Sequence, residues 1–242
     1  MDPQTAQQTS EQTQVRFQRI WLMAYVALFS SLLAFFIVLI TQVPLEGIVE
    51  KRAHQQLTQQ LYQDVKNMTQ QMGLSDWLAV ENVFPKGVRV YPRAALFSRQ
   101  SLFAPARAQL NPRFRPYVDS IGRMLRRLEL AQFQQRYAPF IQPIEARGYR
   151  VLLTLRVEGH TDANPLHPNA PFKDNVTLSV FRAYTIMRLL KQASLLPDAF
   201  WGIAGYGAMH PLFPDPTDPR NRRVELLIQP QMTILEGEDG AV

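Results

Sequence analysis

The 242-residue sequence contains no cysteine, which excludes disulfide bonds, cysteine-ligated zinc or iron–sulfur centres and thiol nucleophiles. Glycine is scarce, at 11 residues against 18 prolines, and neither follows the three-residue period of collagen. With 46% hydrophobic and 19% charged residues, the chain has enough apolar side chains to bury a core. A chain of this length accommodates one domain of ordinary size plus appendages.

The net charge of +6 is unevenly distributed along the chain. Residues 81–160 carry 14 basic and 5 acidic side chains, whereas the segments before and after them carry a slight acidic excess. A basic surface of this kind attracts nucleic acid, anionic lipid or an acidic polymer, or is a solvated arginine-rich face. Charge alone names no ligand, and the membrane segment described next argues against a nucleic-acid partner.

One apolar run lacks charged residues altogether. Residues 20–40 read IWLMAYVALFSSLLAFFIVLI, and about 20 apolar residues in a helix span the roughly 30 Å hydrocarbon core of a bilayer. The run is longer than the apolar region of a cleavable signal peptide, about 7–15 residues, and residues 41–44 (TQVP) form no small-x-small cleavage site. The sequence therefore predicts an uncleaved transmembrane helix over 20–41.

Positive charges near this helix indicate its orientation. Arg16 and Arg19 lie close to its start, whereas Lys51 and Arg52 lie farther from its end. The positive-inside rule then favours a cytoplasmic N-terminus and export of everything after the helix. Residues 1–19 are rich in glutamine and threonine and have no apolar period, so we expect a disordered cytoplasmic tail.

An apolar stripe follows the membrane segment. It consists of residues at helical spacing, Leu57, Leu61, Val65, Met68 and Met72. This spacing predicts an amphipathic linker helix within residues 42–87. The stripe is expected to pack on the chain's own domain or on a second copy, or to lie on the membrane. We expect a homodimer on this ground.

Residues 88–230 are predicted to form an α+β domain. Strand-like runs cover 88–91, 149–158, 200–204 and 223–228, and helical patterns cover 112–130 and 178–192. Strands alternating with helices are typical of helices packed over one sheet. Residues 231–242 are predicted to be an acidic tail.

Four short motifs in this domain carry the chemistry. They read VEGHTD at 157–162, NVTLSVFRA at 175–183, GYG at 205–207 and NRRVE at 221–225. Asp162 follows the end of a predicted strand, and Arg182 lies near the start of a predicted helix. The carboxylate and the guanidinium can therefore lie close together and bind a zwitterion. Without the surrounding motifs, such residues are more often a salt bridge or a helix cap.

His160 raises the question of a metal site or acid–base catalysis. The remaining histidines (His54, His167 and His210) show no metal-ligand spacing. We therefore interpret His160 as structural and expect no metal and no cofactor.

In this order the four motifs resemble those of the OmpA-like peptidoglycan-binding domain, over roughly residues 88–228. The resemblance implies that Asp162 and Arg182 clasp the diaminopimelate of a peptidoglycan stem peptide. It also implies binding roles for neighbouring positions, namely Thr161, Asn175, Leu178 and Arg222, with a structural role for Arg222 left open. A proline-rich insertion at 163–173 lengthens the family's usual spacing and is expected to cover or reshape the pocket.

The membrane segment also resembles that of a known family. WLMAY at 21–25 and AFFIV at 34–38 are similar to the single helix of the flagellar stator subunit MotB, whose family joins such a helix, a periplasmic plug helix and an OmpA-like domain. This implies a single-pass protein of the bacterial inner membrane with a periplasmic C-terminal domain. In that family an aspartate carries the translocated ion at the position that Ala27 occupies here.

The alanine at this position changes the expected function, because a methyl group neither binds nor releases a proton. We expect a stator-like anchor that tethers an envelope complex to the cell wall without itself carrying protons. The alternative is an ion-driven motor subunit, for which a polytopic inner-membrane partner would supply the carboxylate. A wall hydrolase is disfavoured, because the sequence shows no nucleophile, metal cluster or paired catalytic carboxylates.

Overall fold

The computed structural model describes residues 3–42, 46–93, 96 and 101–235. The chain forms two compact units, Met1–Gly47 and Ile48–Val242. Of the predicted acidic tail, residues 236–242 lie outside the described residues, and residues 231–234 belong to the last strand of the sheet instead.

The first unit contains one long helix, α1, spanning Pro3–Gln42. Within it, Arg19–Ile40 is long and apolar enough to cross a membrane, with a mean hydropathy of 2.5, and none of it is buried by protein. The backbone is helical from Pro3 onward, where the sequence predicts a disordered tail. Extending an existing helix adds one hydrogen bond per residue without a new nucleation cost, and glutamine and alanine have good helix propensity.

Helix α2, Glu46–Gln71, carries the apolar stripe. Leu57, Leu61 and Val65 are fully buried in the core of the second unit. The ring of His54 contacts the carbonyl oxygen of Pro230 through Nε2 at 2.7 Å. The stripe therefore packs on the chain's own domain, as one of the expected alternatives has it, and this apolar face gives no support for the expected homodimer.

The second unit is built on a five-stranded sheet with strand order β1-β2-β5-β3-β4. Its strands are β1 (Leu78–Asn82), β2 (Val88–Pro92), β3 (Tyr149–Gly159), β4 (Trp201–Gly205) and β5 (Val224–Ile234). β3 and β4 are parallel, and the remaining neighbours are antiparallel. β1 lies in the segment predicted to be a linker, so the folded domain begins before residue 88.

Four further α-helices lie in the described part of this unit. They are α3 (Arg115–Arg127), α4 (Phe133–Arg136), α5 (Ala138–Glu145) and α6 (Asn175–Ser194). Val157, Leu226 and other alternating strand residues form the core with the apolar faces of the helices, as the period of two along a strand requires. The α+β expectation is thus confirmed, and α4 and α5 are additions to it.

Candidate functional site

The four motifs meet at one rim of the sheet, where β3 and β4 end against the first turns of α6. A Cβ on Gly159 would lie 2.0 Å from the carbonyl oxygen of Ser179, and one on Gly205 would lie 2.6 Å from the Ser179 hydroxyl. Only glycine permits so close an approach of strand and helix. The Ser179 hydroxyl accepts from the Gly207 amide at 3.0 Å, and the Thr161 amide donates to the Gly207 carbonyl at 2.8 Å.

Asp162 follows this junction and is almost completely buried, with 6% of its surface exposed. Its Oδ2 accepts from Nη1 of Arg222 at 3.2 Å and from Nδ2 of Asn164 at 3.1 Å. Arg222 also donates from Nη2 to the hydroxyl of Ser101 at 3.1 Å. The ion-pair partner of Asp162 is therefore Arg222, whereas the motif resemblance implies that Asp162 and Arg182 clasp a ligand together.

Arg182 is held by a loop from a distant part of the chain. Its side chain is 1% exposed, Nε donates to the carbonyl of Arg107 at 3.1 Å, and Nη2 donates to the carbonyl of Ala104 at 3.4 Å. The guanidinium carbon lies 5.0 Å from the centre of the Phe103 ring. In the described part of the chain, no carboxylate forms a salt bridge with this guanidinium.

Burial governs the electrostatics of this arginine. Burial, followed by the charge of Arg222, lowers the pKa of Arg182 to about 10, and the charge of Asp162 opposes both. Arg182 remains protonated at neutral pH. Two guanidinium groups therefore share this site with one carboxylate, so the site carries a net positive charge.

The loop that binds Arg182, residues 101–112, has a defined shape. Phe103 and Leu110 form an antiparallel bridge, and the amide of Arg107 donates to the carbonyl of Ala104 at 3.1 Å, closing a tight turn. Ala106 occupies this turn with φ 51°, a left-handed conformation that costs a non-glycine residue energy. The loop and Arg222 line a cleft of about 470 Å³.

Three buried donors at the site have no partner among the described residues. They are Nη1 of Arg182, Nε of Arg222 and the hydroxyl of Thr161. A buried donor without an acceptor costs about 1–3 kcal/mol, so these groups favour a ligand or a water that brings acceptor oxygens. A carboxylate fits both the number of donors and the net charge.

The other predicted residues fall into two groups. Asn175 donates to the carbonyls of Asp162 at 3.3 Å and Asn164 at 2.9 Å, so it fixes the backbone beside the carboxylate. Leu178 is 1% exposed and lies in the interior of the protein. The proline-rich insertion supplies Asn164, which donates to the carboxylate of Asp162.

The sequence interpretation missed the loop residues and Ser101. Their one signal is the segment LFAPARAQLNP at 102–112, in which a proline at 105 precedes the residue with positive φ. This is the proline position of a tight turn. Nothing in that segment indicates that its carbonyls bind an arginine more than 70 residues away.

Glu158, His160 and Glu225 form a second cluster on the sheet, with ligand atoms that lie within 4.8 Å of one another. Arg156 pairs with Glu158 at 2.8 Å, and Arg223 pairs with Glu225 at 2.5 Å. Since guanidinium groups already neutralise both carboxylates, the cluster offers little attraction to a cation. Burial, followed by the charge of Arg223, lowers the pKa of His160 to about 3. The imidazole is therefore neutral at physiological pH.

Comparison with known proteins shows similarity in sequence and in fold. The chain is 38% identical over 78 residues to Motility protein B of Bacillus subtilis strain 168, a match that spans 31% of this chain and 30% of that relative. A crystal structure of a MotB-like protein from Desulfovibrio vulgaris superposes with a TM-score of 0.51 and 22% identity, covering 79% of this chain and 99% of the other. The chain is therefore similar to Motility protein B over that segment and shares its fold with the MotB-like structure.

A further structure that resembles this protein is the cell wall anchor of the T6SS from Pseudomonas aeruginosa. It is 21% identical, with a TM-score of 0.46, and the match covers 69% of this chain and 97% of the other. No protein-family model matches the sequence. The similarity to Motility protein B and the fold shared with the MotB-like structure confirm the sequence-based resemblance to MotB and to the OmpA-like fold.

Proposed function

We propose that this protein is a non-enzymatic anchor of the bacterial inner membrane that binds peptidoglycan and tethers an envelope complex to the cell wall. The observation that carries the proposal is the buried Arg182 and the half-buried Arg222 beside Asp162, with a spare buried donor on each arginine. Such a site suits a ligand with a carboxylate and, next to it, an ammonium group.

The ligand is the diaminopimelate of a stem peptide, which carries both of these groups. Its carboxylate accepts hydrogen bonds from the unpaired Nη1 of Arg182 and Nε of Arg222, and its ammonium group lies next to the carboxylate of Asp162. Because carbonyls of the loop 101–112 occupy the other donors of Arg182, the ligand enters either beside this loop or with a shift of it.

The membrane part of the proposal rests on α1. Its segment Arg19–Ile40 is long enough to cross the hydrocarbon core, and it is apolar on all sides. With an inside N-terminus, the compact unit lies in the periplasm, where it can reach the wall.

Sedimentation of the full-length protein with purified sacculi tests the binding role. Arg222→Gln removes a positive charge and the ion pair with Asp162, and we expect it to reduce the pelleted fraction about tenfold. Arg220→Gln is the matched control, because this exposed neighbour pairs with Asp218 outside the site. Equal retention of both variants, at wild-type level, would contradict the proposed site, and loss of wall mass during incubation would contradict a non-enzymatic role.

A second candidate is an ion-driven motor subunit that works with a polytopic membrane partner. The sequence similarity to Motility protein B favours it. Against it, residues 20–40 contain neither a carboxylate nor a basic side chain, and Ala27 offers no proton-binding group. Ala27→Asp should create proton conductance only if α1 lines a pore with that partner. A homodimer, if it forms, requires a surface other than the buried stripe of α2, and crosslinking in membranes tests it.

A further inference from the structure

The second unit has another cleft, away from the arginine site. It has a volume of about 650 Å³ and lies between α2, the β1–β2 turn and α5. We name it the amide cleft, because amide side chains form most of its wall: Gln55, Gln56, Gln59, Gln60 and Asn82. Nothing in the proposed function uses this cleft.

Part of this amide wall is held in place by its own hydrogen bonds. Nδ2 of Asn82 donates to Oε1 of Gln59 at 2.8 Å, and Oδ1 of Asn82 accepts from the amide of Phe84 at 3.1 Å. Nε2 of Gln60 donates to Asp64 at 3.0 Å. Within the described ranges, the amides of Gln55 and Gln56 make no side-chain hydrogen bond to protein, and each offers two donors and one acceptor group.

Two aromatic rings complete the cleft. Phe84 is 43% exposed, unusually open for a phenylalanine, and its ring lies 5.6 Å from that of His54. Phe140 of α5 also lines the cleft, is half-buried and packs against the core. Flat apolar faces next to amide groups suit a ligand whose own surface alternates between C–H faces and polar substituents.

The charge of the cleft narrows the ligand class. Arg52 is the one charged residue in its lining, and no carboxylate lines it. A nucleic acid or an anionic lipid needs several cations, and a basic peptide needs acidic groups. A neutral polymer rich in hydroxyl and acetamido groups needs neither several cations nor acidic groups in its binding site.

We propose that the amide cleft binds a glycan strand of N-acetylated amino sugars. Pyranose faces stack on Phe84 and Phe140, and the glutamine amides exchange hydrogen bonds with hydroxyl and acetamido groups. The inference rests on the proposed wall-binding function and deepens it: the stem peptide occupies the arginine site, and the glycan of the same polymer occupies the amide cleft.

The test uses the full-length protein in detergent and an N-acetylglucosamine tetramer as the probe, with titration calorimetry as the readout. Phe84→Ala should weaken binding about tenfold, because one stacking surface is lost. The double variant Gln55→Ala/Gln56→Ala should weaken binding by a similar factor, and both of its side chains are exposed, so the fold does not depend on them. Gln70→Ala/Gln71→Ala, on the same helix but outside the cleft, is the matched control and should bind like wild type.

The outcomes separate this inference from the proposed function. Arg222→Gln should reduce retention on sacculi, because it weakens binding of the stem peptide. The variant should keep full affinity for the tetramer. No tetramer binding by wild type, or equal binding by all glutamine and phenylalanine variants, would overturn the glycan cleft and leave the arginine site standing. The effect of Arg222→Gln on wall binding is measured separately, by sedimentation with sacculi.

Discussion

Nε of Arg182 donates to the carbonyl oxygen of Arg107 at 3.1 Å, across 75 positions of sequence. Arg182, which is expected to bind a ligand, therefore also fixes the loop 101–112 that borders the neighbouring cleft. Ala104, the second carbonyl on this guanidinium, closes the same loop by accepting from the Arg107 amide. Binding-site formation and loop order are thus coupled through one side chain.

Replacement of Arg182 should cost stability as well as binding. Arg182→Met keeps the length of the side chain but leaves the carbonyls of Ala104 and Arg107 without this donor, so we expect a loss of about 3 kcal/mol in the free energy of unfolding. Urea unfolding measures it. Arg188→Met, at an exposed position of the same helix, should change the free energy by less than about 0.5 kcal/mol. Equal effects of both variants would show that the loop carbonyls do not depend on Arg182.

Leu195 offers a stabilising substitution. It ends α6 with φ 61°, a left-handed conformation that glycine adopts without strain, and its side chain is 66% exposed. We expect Leu195→Gly to raise the free energy of unfolding by about 0.5–1 kcal/mol. Leu195→Ala removes the same side chain but keeps the strained backbone, so it should bring no such gain. A thermal shift of the glycine variant no larger than that of the alanine variant would contradict the strain argument.

The sequence predicts the elements that have a strong period and misses those that do not. β3, α6, β4 and the start of β5 follow directly from alternating or helical apolar patterns. β1 has only five residues and directly follows a long amphipathic helix, so it reads as linker. α5 contains Pro143 and begins next to another proline, which normally marks a break.

The location of the site was predictable from the sequence, and the contacts among its side chains were not. The motifs place Asp162, Arg182 and Arg222 at one rim, and the structure brings them together there. Which arginine pairs with Asp162 depends on Ser101 and on the loop carbonyls that take up Arg182. These contacts join segments more than 70 residues apart, and no local pattern reports them.

His160 should impose a pH dependence on stability. Its folded-state pKa of about 3 lies below the value of 6.5 for a solvated histidine. Between these values the unfolded chain binds the proton that the folded chain excludes, so stability is full above pH 6.5 and falls as the pH drops towards 3. The slope contributed by this group approaches about 1.4 kcal/mol per pH unit.

The variant His160→Phe tests this dependence. The ring stacks on Tyr206 with centroids 5.5 Å apart, and phenylalanine preserves this stacking. Urea unfolding between pH 7 and pH 4 should show a smaller loss of stability for the variant than for wild type. Parallel curves for the two proteins would contradict a neutral, buried imidazole in the native state.

Tyr137 should make the domain sensitive to alkaline pH. Its hydroxyl donates to Asp64 of α2 at 2.7 Å, and burial together with this carboxylate raises the pKa of the phenol above its usual value near 10. The stabilisation is complete below pH 10 and is lost as the pH rises further, because only the unfolded chain ionises readily there. Tyr137→Phe should cost about 1 kcal/mol at neutral pH and show a weaker alkaline loss. An unchanged alkaline slope in denaturant unfolding would exclude this phenol as its cause.

Gly159 is required for the geometry of the binding site itself. An added Cβ would lie 2.0 Å from the backbone oxygen of Ser179, so Gly159→Ala must push β3 away from α6. Asp162 follows three residues later, and its contacts with Arg222 depend on that junction. We expect a loss of about 2–3 kcal/mol in the free energy of unfolding, together with reduced sacculus retention.

Gly202 supplies the control for this steric argument, because it also lies in the sheet but has room for a methyl group. A Cβ there would meet its nearest neighbour, a methyl of Thr154, at 3.6 Å, which is ordinary van der Waals contact. Gly202→Ala should therefore keep both stability and wall binding, and a strand residue with a side chain loses less backbone entropy on folding than glycine does. If both alanine variants retained wild-type stability and retention, the close approach of β3 to α6 would not be what positions Asp162. If Gly159→Ala alone lost both, the glycine of the VEGHTD motif would be explained by packing at the strand–helix junction, without any contact between residue 159 and the ligand.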